Sequence, residues 1–152
     1  MTLNATGILN ALTSHSAASG LFESVLNHEP KSSPGVGLTT AIWCQAIGPM
    51  PAGSGLAATT SRVEFVQRVY SPMLTEPQDA IDPRVVAAVD VLMGAYTGDF
   101  TLGGLIRNVD CLGAAGVPLS ARAGYLTQDG KLFRIMDLTV PCIVNDLWSQ
   151  AE

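Results

Sequence analysis

Gly53-Ser-Gly-Leu-Ala-Ala58 is the stretch of this 152-residue chain whose spacing comes nearest to a chemical motif. A G-x-G-x-x-A run cradles a pyrophosphate when it follows a strand and opens a helix, because the helix N-terminus then faces the anion. Here Met50-Pro51 precedes it, and the next regular pattern, Ser61–Tyr70, reads as a strand. Without the helix the cradle lacks its anion-binding end, and a flexible, nearly uncharged loop is expected instead. Ser54 sits in Gly-Ser-Gly, without the flanks of a G-x-S-x-G nucleophile elbow.

The remaining candidates are sparse. His15 and His28 are the only histidines, and neither stands at metal-ligand spacing from a cysteine or a second histidine. Cys44 with a histidine has the ingredients of a thiol nucleophile and base, but nothing in the spacing selects it. The three cysteines, Cys44, Cys111 and Cys142, are odd in number and widely spaced, which favours buried thiols over disulfides. Glu76, Asp79 and Asp82 cluster without the spacing of a calcium loop; helix capping and dipole complementarity account for Asp79 and Asp82. Asn4-Ala-Thr6 matches a glycosylation sequon that has meaning only on secretion. Catalytic, cofactor and metal sites are therefore all expected to be absent.

Charged residues make up 14% of the chain, against about 25% in an ordinary soluble protein. Mean hydropathy is +0.30. No apolar run approaches the ~18 residues of a membrane span, so the excess apolar surface is expected to be buried against protein. Net charge is −5 with no basic run, which argues against nucleic-acid binding. The first residues, Met-Thr-Leu-Asn, lack the pattern of a signal peptide.

Periodicity places the elements. A helix starts at a Thr2 or Asn4 cap, carries Ile8, Leu9 and Leu12, fades through Ser14–Ser16 and stops at Gly20. Leu21–Glu29 is read as a short strand. Leu38–Ile47 and Ser61–Tyr70 are strands joined by the long Gly48–Thr60 loop, and Ser61–Tyr70 has one polar face. Asp82 is the expected N-cap, and Pro83 the first residue, of a second helix running to about Tyr96, with Gly98 just beyond its end. Its stripe is Val85, Val89, Leu92 and Tyr96, but Val86, Val91 and Met93 extend the apolar character around it. A helix apolar on most sides is buried on most sides, and a single small domain offers little to cover the outer side except another subunit.

Leu105–Leu112 reads as a strand. Leu119–Thr127 and Leu132–Val144 form a hairpin about Asp129-Gly130, a strong type I′ signal. A two-residue turn sets Leu126 opposite Phe133 and Tyr125 opposite Arg134. Leu126, Phe133 and Ile135 then share one face, and Tyr125, Leu132, Met136 and Leu138 the other, so both faces need cover. Pro141 marks an edge or a bulge. The expectation is a single α+β domain over residues 1–152. Its mainly antiparallel sheet has about five or six strands, flanked by two main helices and ending in a C-terminal β-hairpin.

Several stretches give the chain a family texture: His28-Glu-Pro-Lys31, Gly55-Leu-Ala-Ala58, Glu76-Pro-Gln-Asp-Ala-Ile-Asp-Pro83, Gly98-Asp-Phe100, Arg107-Asn-Val-Asp110, Gly124-Tyr-Leu126, Gln128-Asp-Gly-Lys-Leu-Phe-Arg134 and Ile143-Val-Asn-Asp-Leu-Trp148. With these the chain resembles the tail terminator (tail completion) proteins of long-tailed actinobacterial phages. The resemblance implies a homohexameric ring that caps the tail tube and joins it to the head connector. Its partners would be itself, the major tail tube protein and the head–tail connector protein, with no membrane and no direct nucleic-acid contact. It would be assembled in the host cytoplasm and reside in the virion. No catalysis or cofactor is implied. The alternatives are another neck or head-completion component, or a ligand-binding or enzymatic domain using Gly53–Ala58. A closing heterologous interface makes a ring, at roughly 1,600 Å² per contact. The residues expected at it are Met50 and Leu56 in the long loop, Val86 and Met93 on the second helix, Tyr125 and Met136 on the hairpin, and Trp148 near the terminus.

Overall fold

In the computed structural model the Asp129-Gly130 turn takes positive φ at both residues, 52° and 75°, as a type I′ turn requires. It sets the predicted register, Tyr125 against Arg134 and Leu126 against Phe133. Residues 2–34, 37–50, 58–73 and 78–148 are described. They form α1 (Ala5–Ala18), β1 (Ser24–Leu26), β2 (Thr39–Pro49), β3 (Thr59–Pro72), a short 3-10 turn (Gln78–Ala80), α2 (Ile81–Gly98), β4 (Asn108–Val109), β5 (Ser120–Gln128) and β6 (Lys131–Leu147). The strands make one mostly antiparallel, curled sheet in the order β1-β2-β3-β6, after which β5 and β4 share the far side of β6. Only β1 runs parallel to its neighbour. The result is a single α+β domain.

Both helices lie on one face of the sheet. Ile8 and Leu12 of α1 and Val85, Val89, Leu92 and Tyr96 of α2 pack with Ile42, Val63, Phe65, Val69, Leu138 and Val140 in the main core. Each such side chain, fully buried, is worth about 1.5–3 kcal/mol. Asn4 caps α1 by accepting from the Gly7 N–H at 3.0 Å. The helix does not fade at Ser14–Ser16 but runs to Ala18, with Gly20 at φ +71° just beyond its end. Ser16 is buried and hydrogen-bonded, so a polar residue there meets the interior rather than ending the helix.

Four expectations are corrected. Asp82 is not the N-cap of α2: the helix begins at Ile81, Ala80 precedes it without a side-chain cap, and Asp82 lies in the first turn, where a negative charge suits the dipole. Leu105–Leu112 is not a strand of that length. Leu102, Gly103 and Gly104 turn the chain at positive φ, only Asn108–Val109 pairs with β6, and Asp110 accepts from the Ala114 and Ala115 N–H groups at 2.8 Å each, folding the following residues into a turn. Pro141 is neither on an edge nor at a bulge: β6 is central. The Pro141 carbonyl accepts from Asp110 N at 2.8 Å, and in an antiparallel strand a residue's N and C=O point the same way. Its missing donor therefore points into the gap between β5, whose first residue Ser120 lies opposite Thr139, and β4, whose last residue Val109 lies opposite Cys142, and the β3 ladder is untouched. Lastly, the thiols are not all buried. Cys142 is buried, with its thiol pushed up to about 12 by desolvation, but Cys111 is half-buried and Cys44 exposed.

Candidate functional site

The helix-free face of the sheet divides into two parts. At the hairpin-turn end, Ala41, Tyr70, Phe133 and Ile135 form a small second core, with Leu26, Trp43 and Leu126 against it. Leu126, Phe133 and Ile135 thus share one side of the hairpin, as their alternation requires. The segment before β2 crosses this end: Gln128 donates to the Pro30 carbonyl at 3.1 Å, and Ser33 N–H donates to Asp129 at 2.6 Å. Beyond it the face opens into a groove of about 640 Å³ lined in part by Trp43, Val66, Arg68, Arg122, Asp137 and Thr139.

Strand register builds this groove. Ala41, Arg68, Asp137 and Arg122 occupy one row across β2, β3, β6 and β5. Arg68 pairs with Asp137 in a two-point contact at 2.6 and 3.1 Å, and its guanidinium lies 5.4 Å from the Trp43 ring centroid and 5.9 Å from that of Tyr70. The Asp137 hydrogen bond raises the Arg68 pKa further, so the charge is permanent. A planar cation held between aromatics and a carboxylate is a rigid structural element. Arg68→Met should lower stability by about 1–2 kcal/mol, from an ion pair of up to ~1 kcal/mol and a cation–π contact of ~0.5–1 kcal/mol. Urea unfolding at fixed protein concentration checks this.

The predicted contact residues fall into two groups. Tyr125, 60% exposed, lies under Arg134, whose guanidinium carbon is 4.6 Å from the ring centroid. Arg134 reaches Asp82 of α2 at 3.0 Å. Val86, one turn beyond Asp82, is 54% exposed. The Arg134–Asp82 pair therefore joins Tyr125 and Val86 into one surface. Met136 and Met93 are half-buried against the main core, so their own chain covers part of each. Met50 and Trp148 belong to the opposite end of the sheet. Met50 N–H donates to the Thr60 carbonyl at 2.8 Å, and Leu147, just before the 40%-exposed Trp148, pairs with Thr59. Leu56 lies outside the described residues, as do Gly53–Ala57 and Glu76. Strand β3, not a helix, follows Ala58.

No spacing rule foresaw the buried polar network beneath the helices. The Gln67 amide donates to Ser16 Oγ at 2.8 Å and to Thr40 Oγ1 at 3.0 Å, and its carbonyl accepts from Tyr96 OH. Tyr96 OH also approaches the Leu12 carbonyl at 3.4 Å. Burial drives the Tyr96 pKa upward, so the hydroxyl stays protonated and donating. At the rim His15 Nε2 meets Asp99 at 2.8 Å, tying the C-terminal ends of α1 and α2 together. The Gly103 N–H first, and His15 second, hold the Asp99 carboxyl below its usual range. Its contribution to stability is present above the ordinary carboxylate pKa and fades on acidification. Among the described residues no group of three or more His, Cys, Asp or Glu is arranged to hold a metal ion. No helix is long and apolar enough to cross a membrane.

No family model and no curated protein matches the chain. Among solved structures it is similar to one described as the "PVC sheath/tube terminator in extended state" of an extracellular contractile injection system, with 12% identity and a TM-score of 0.45. The match covers 100% of this chain and 60% of that one, so this chain spans about three-fifths of the length of that terminator.

Proposed function

We propose that the protein is a structural subunit of the tail-terminator type, without catalytic activity or cofactor. It self-associates into a ring, hexameric as in the family it resembles, at the head-proximal end of a phage tail. There it caps the tube and joins it to the head connector. The observation that supports this reading is the surface linking Tyr125, Arg134, Asp82 and Val86, which leaves large apolar side chains open on a chain with few charges. Val91, also on α2, is 45% exposed. Scattered exposed apolar residues are ordinary, but two on neighbouring elements bridged by an ion pair make a contact-ready patch. The end carrying Met50 and Trp148 is the part that would reach the tube or the next subunit. The acidic net charge of the chain helps orient docking on a complementary partner.

Electron microscopy of particles from a phage lacking this product tests the reading. Tails of unregulated length, or finished tails that fail to join heads, are expected. Normal infectious particles would overturn it, and a ring found on heads without tails would assign the protein to the neck instead.

A further inference from the structure

The sheet has two open edges, and they lie on opposite sides of the same four strands. We infer that the edge of β5 in one copy pairs with the edge of β2 in a second copy, so that the sheet continues from subunit to subunit. This inference rests on the ring reading and specifies how its subunits are joined.

On one side, β5 pairs only with β6, in unbroken register from Ser120 to Gln128. In a two-residue hairpin the residues flanking the turn, here Gln128 and Lys131, exchange both hydrogen bonds across it, and the pairs then alternate. The N–H and C=O groups of Ala121, Ala123, Tyr125 and Thr127 therefore point outward. Among the described residues no backbone hydrogen bond reaches them. Natural edges are guarded by proline, lysine, bulges or covering segments; β5 has no proline, no lysine and no bulge.

On the other side, β1 covers only Thr39–Ala41 of β2, leaving Ile42–Pro49 uncovered among the described residues. Cys44 there is exposed and Ile47 is 51% exposed. A bulge between Cys44 and Ala46 adds local twist, and Pro49 limits the ladder at its far end.

Polarity and chemistry match. Each neighbour in β2-β3-β6-β5 is antiparallel to the last, so β5 and β2 run in opposite directions. Copies related by rotation about an axis along the strands would bring them together as an antiparallel pair. Cys44 and Ile47 lie in register with Phe65 and Val63, on the helix side of the sheet. Ala121 and Ala123 lie on the same side, opposite Leu138 and Met136. Small side chains on one edge thus leave room for large apolar ones on the other. The free stretch of β2 carries no charge, and β5 carries only Arg122. The contact is head-to-tail, the kind that closes into a ring.

The native Cys44 provides the test. Full-length Ala121→Cys and Ala123→Cys variants, concentrated until they assemble, are treated with a short bis-maleimide. Covalent ladders extending to the full ring size, and lost when Cys44→Ser is added, are expected. Dimers that persist when both Cys44→Ser and Cys111→Ser are added would mean β5-to-β5 pairing and overturn the inference. Rings seen by microscopy without cross-linking overturn the edge pairing alone. Absence of both rings and cross-links overturns the ring reading with it. Separately, Ala123→Pro removes an outward N–H while sparing the β6 ladder. It should leave the circular dichroism and melting temperature near wild type and weaken self-association at least tenfold; unchanged assembly overturns the inference.

Discussion

Tyr96→Phe should destabilise the protein by about 2 kcal/mol, the cost of leaving a buried polar atom without its partner (~1–3 kcal/mol). The change removes one oxygen and no apolar surface, so cavity formation contributes almost nothing. What it strands is the Gln67 carbonyl, fully buried beneath α1 and α2, whose donor among the described residues is the Tyr96 hydroxyl. Thr40 and Ser16 cannot replace that donor without loss, because their hydroxyls already donate to the Arg68 and Leu12 carbonyls at 3.1 and 2.9 Å. Adding Gln67→Leu to Tyr96→Phe should recover part of the loss, since removing both partners of a buried bond is far cheaper than removing one. For a chain of this size about 2 kcal/mol corresponds to a melting-point drop of roughly 4–8 °C. The check is a double-mutant cycle from urea unfolding, at one protein concentration because assembly would itself shift apparent stability. Strict additivity of the two changes would refute the network's role as a coupled unit.

That network shows where sequence reading reached its limit. Ser16, Thr40, Gln67 and Tyr96 come from four elements, and no periodicity ties them together. Gln67 is a polar residue on the apolar face of β3, and Ser16 suggests the fading of a helix. Both are polar residues placed inward because each has partners, and only the packing of α1 and α2 over the sheet supplies them. The same holds for Arg68 and Asp137, 69 residues apart, whose pairing depends on β3 and β6 being neighbours. Local chemistry was legible: the Asp129-Gly130 turn, the Asn4 cap and the stripe Val85–Val89–Leu92–Tyr96 each depend on residues close in the chain. Pro141 taken alone suggests an edge or a bulge, and only the change of partners along β6, from β5 to β4, accommodates it inside the sheet. Leu105–Leu112 misled because alternation suited a strand while Asp110 and the nearby glycines imposed turns.

Of the predicted contact residues, the structure brought Tyr125 and Val86 onto one surface through an ion pair that the sequence could not reveal. This makes Val86→Glu the decisive variant for assembly. Val86 is 54% exposed in the single chain, and glutamate is a good helix former at an exposed site. The monomer's stability should therefore stay within about 0.5 kcal/mol of wild type. If α2 packs against a neighbour, the same change removes the burial of a valine and forces a carboxylate out of water. Losing ~1 kcal/mol of apolar burial and adding ~2 kcal/mol or more of desolvation weakens each contact by at least about a hundredfold, because every 1.4 kcal/mol is a factor of ten. A ring repeats the contact around its circumference, so the defect recurs at every interface and closed rings should disappear at concentrations where wild type forms them. Leu112→Glu is the matched control: Leu112 is 94% exposed in the turn after β4, and the change should leave assembly unchanged. Sedimentation velocity over a concentration series, with circular dichroism to verify folding, separates the two. Val86→Glu assembling as wild type does would remove the outer side of α2 from the interface and leave the sheet edges to hold the ring alone.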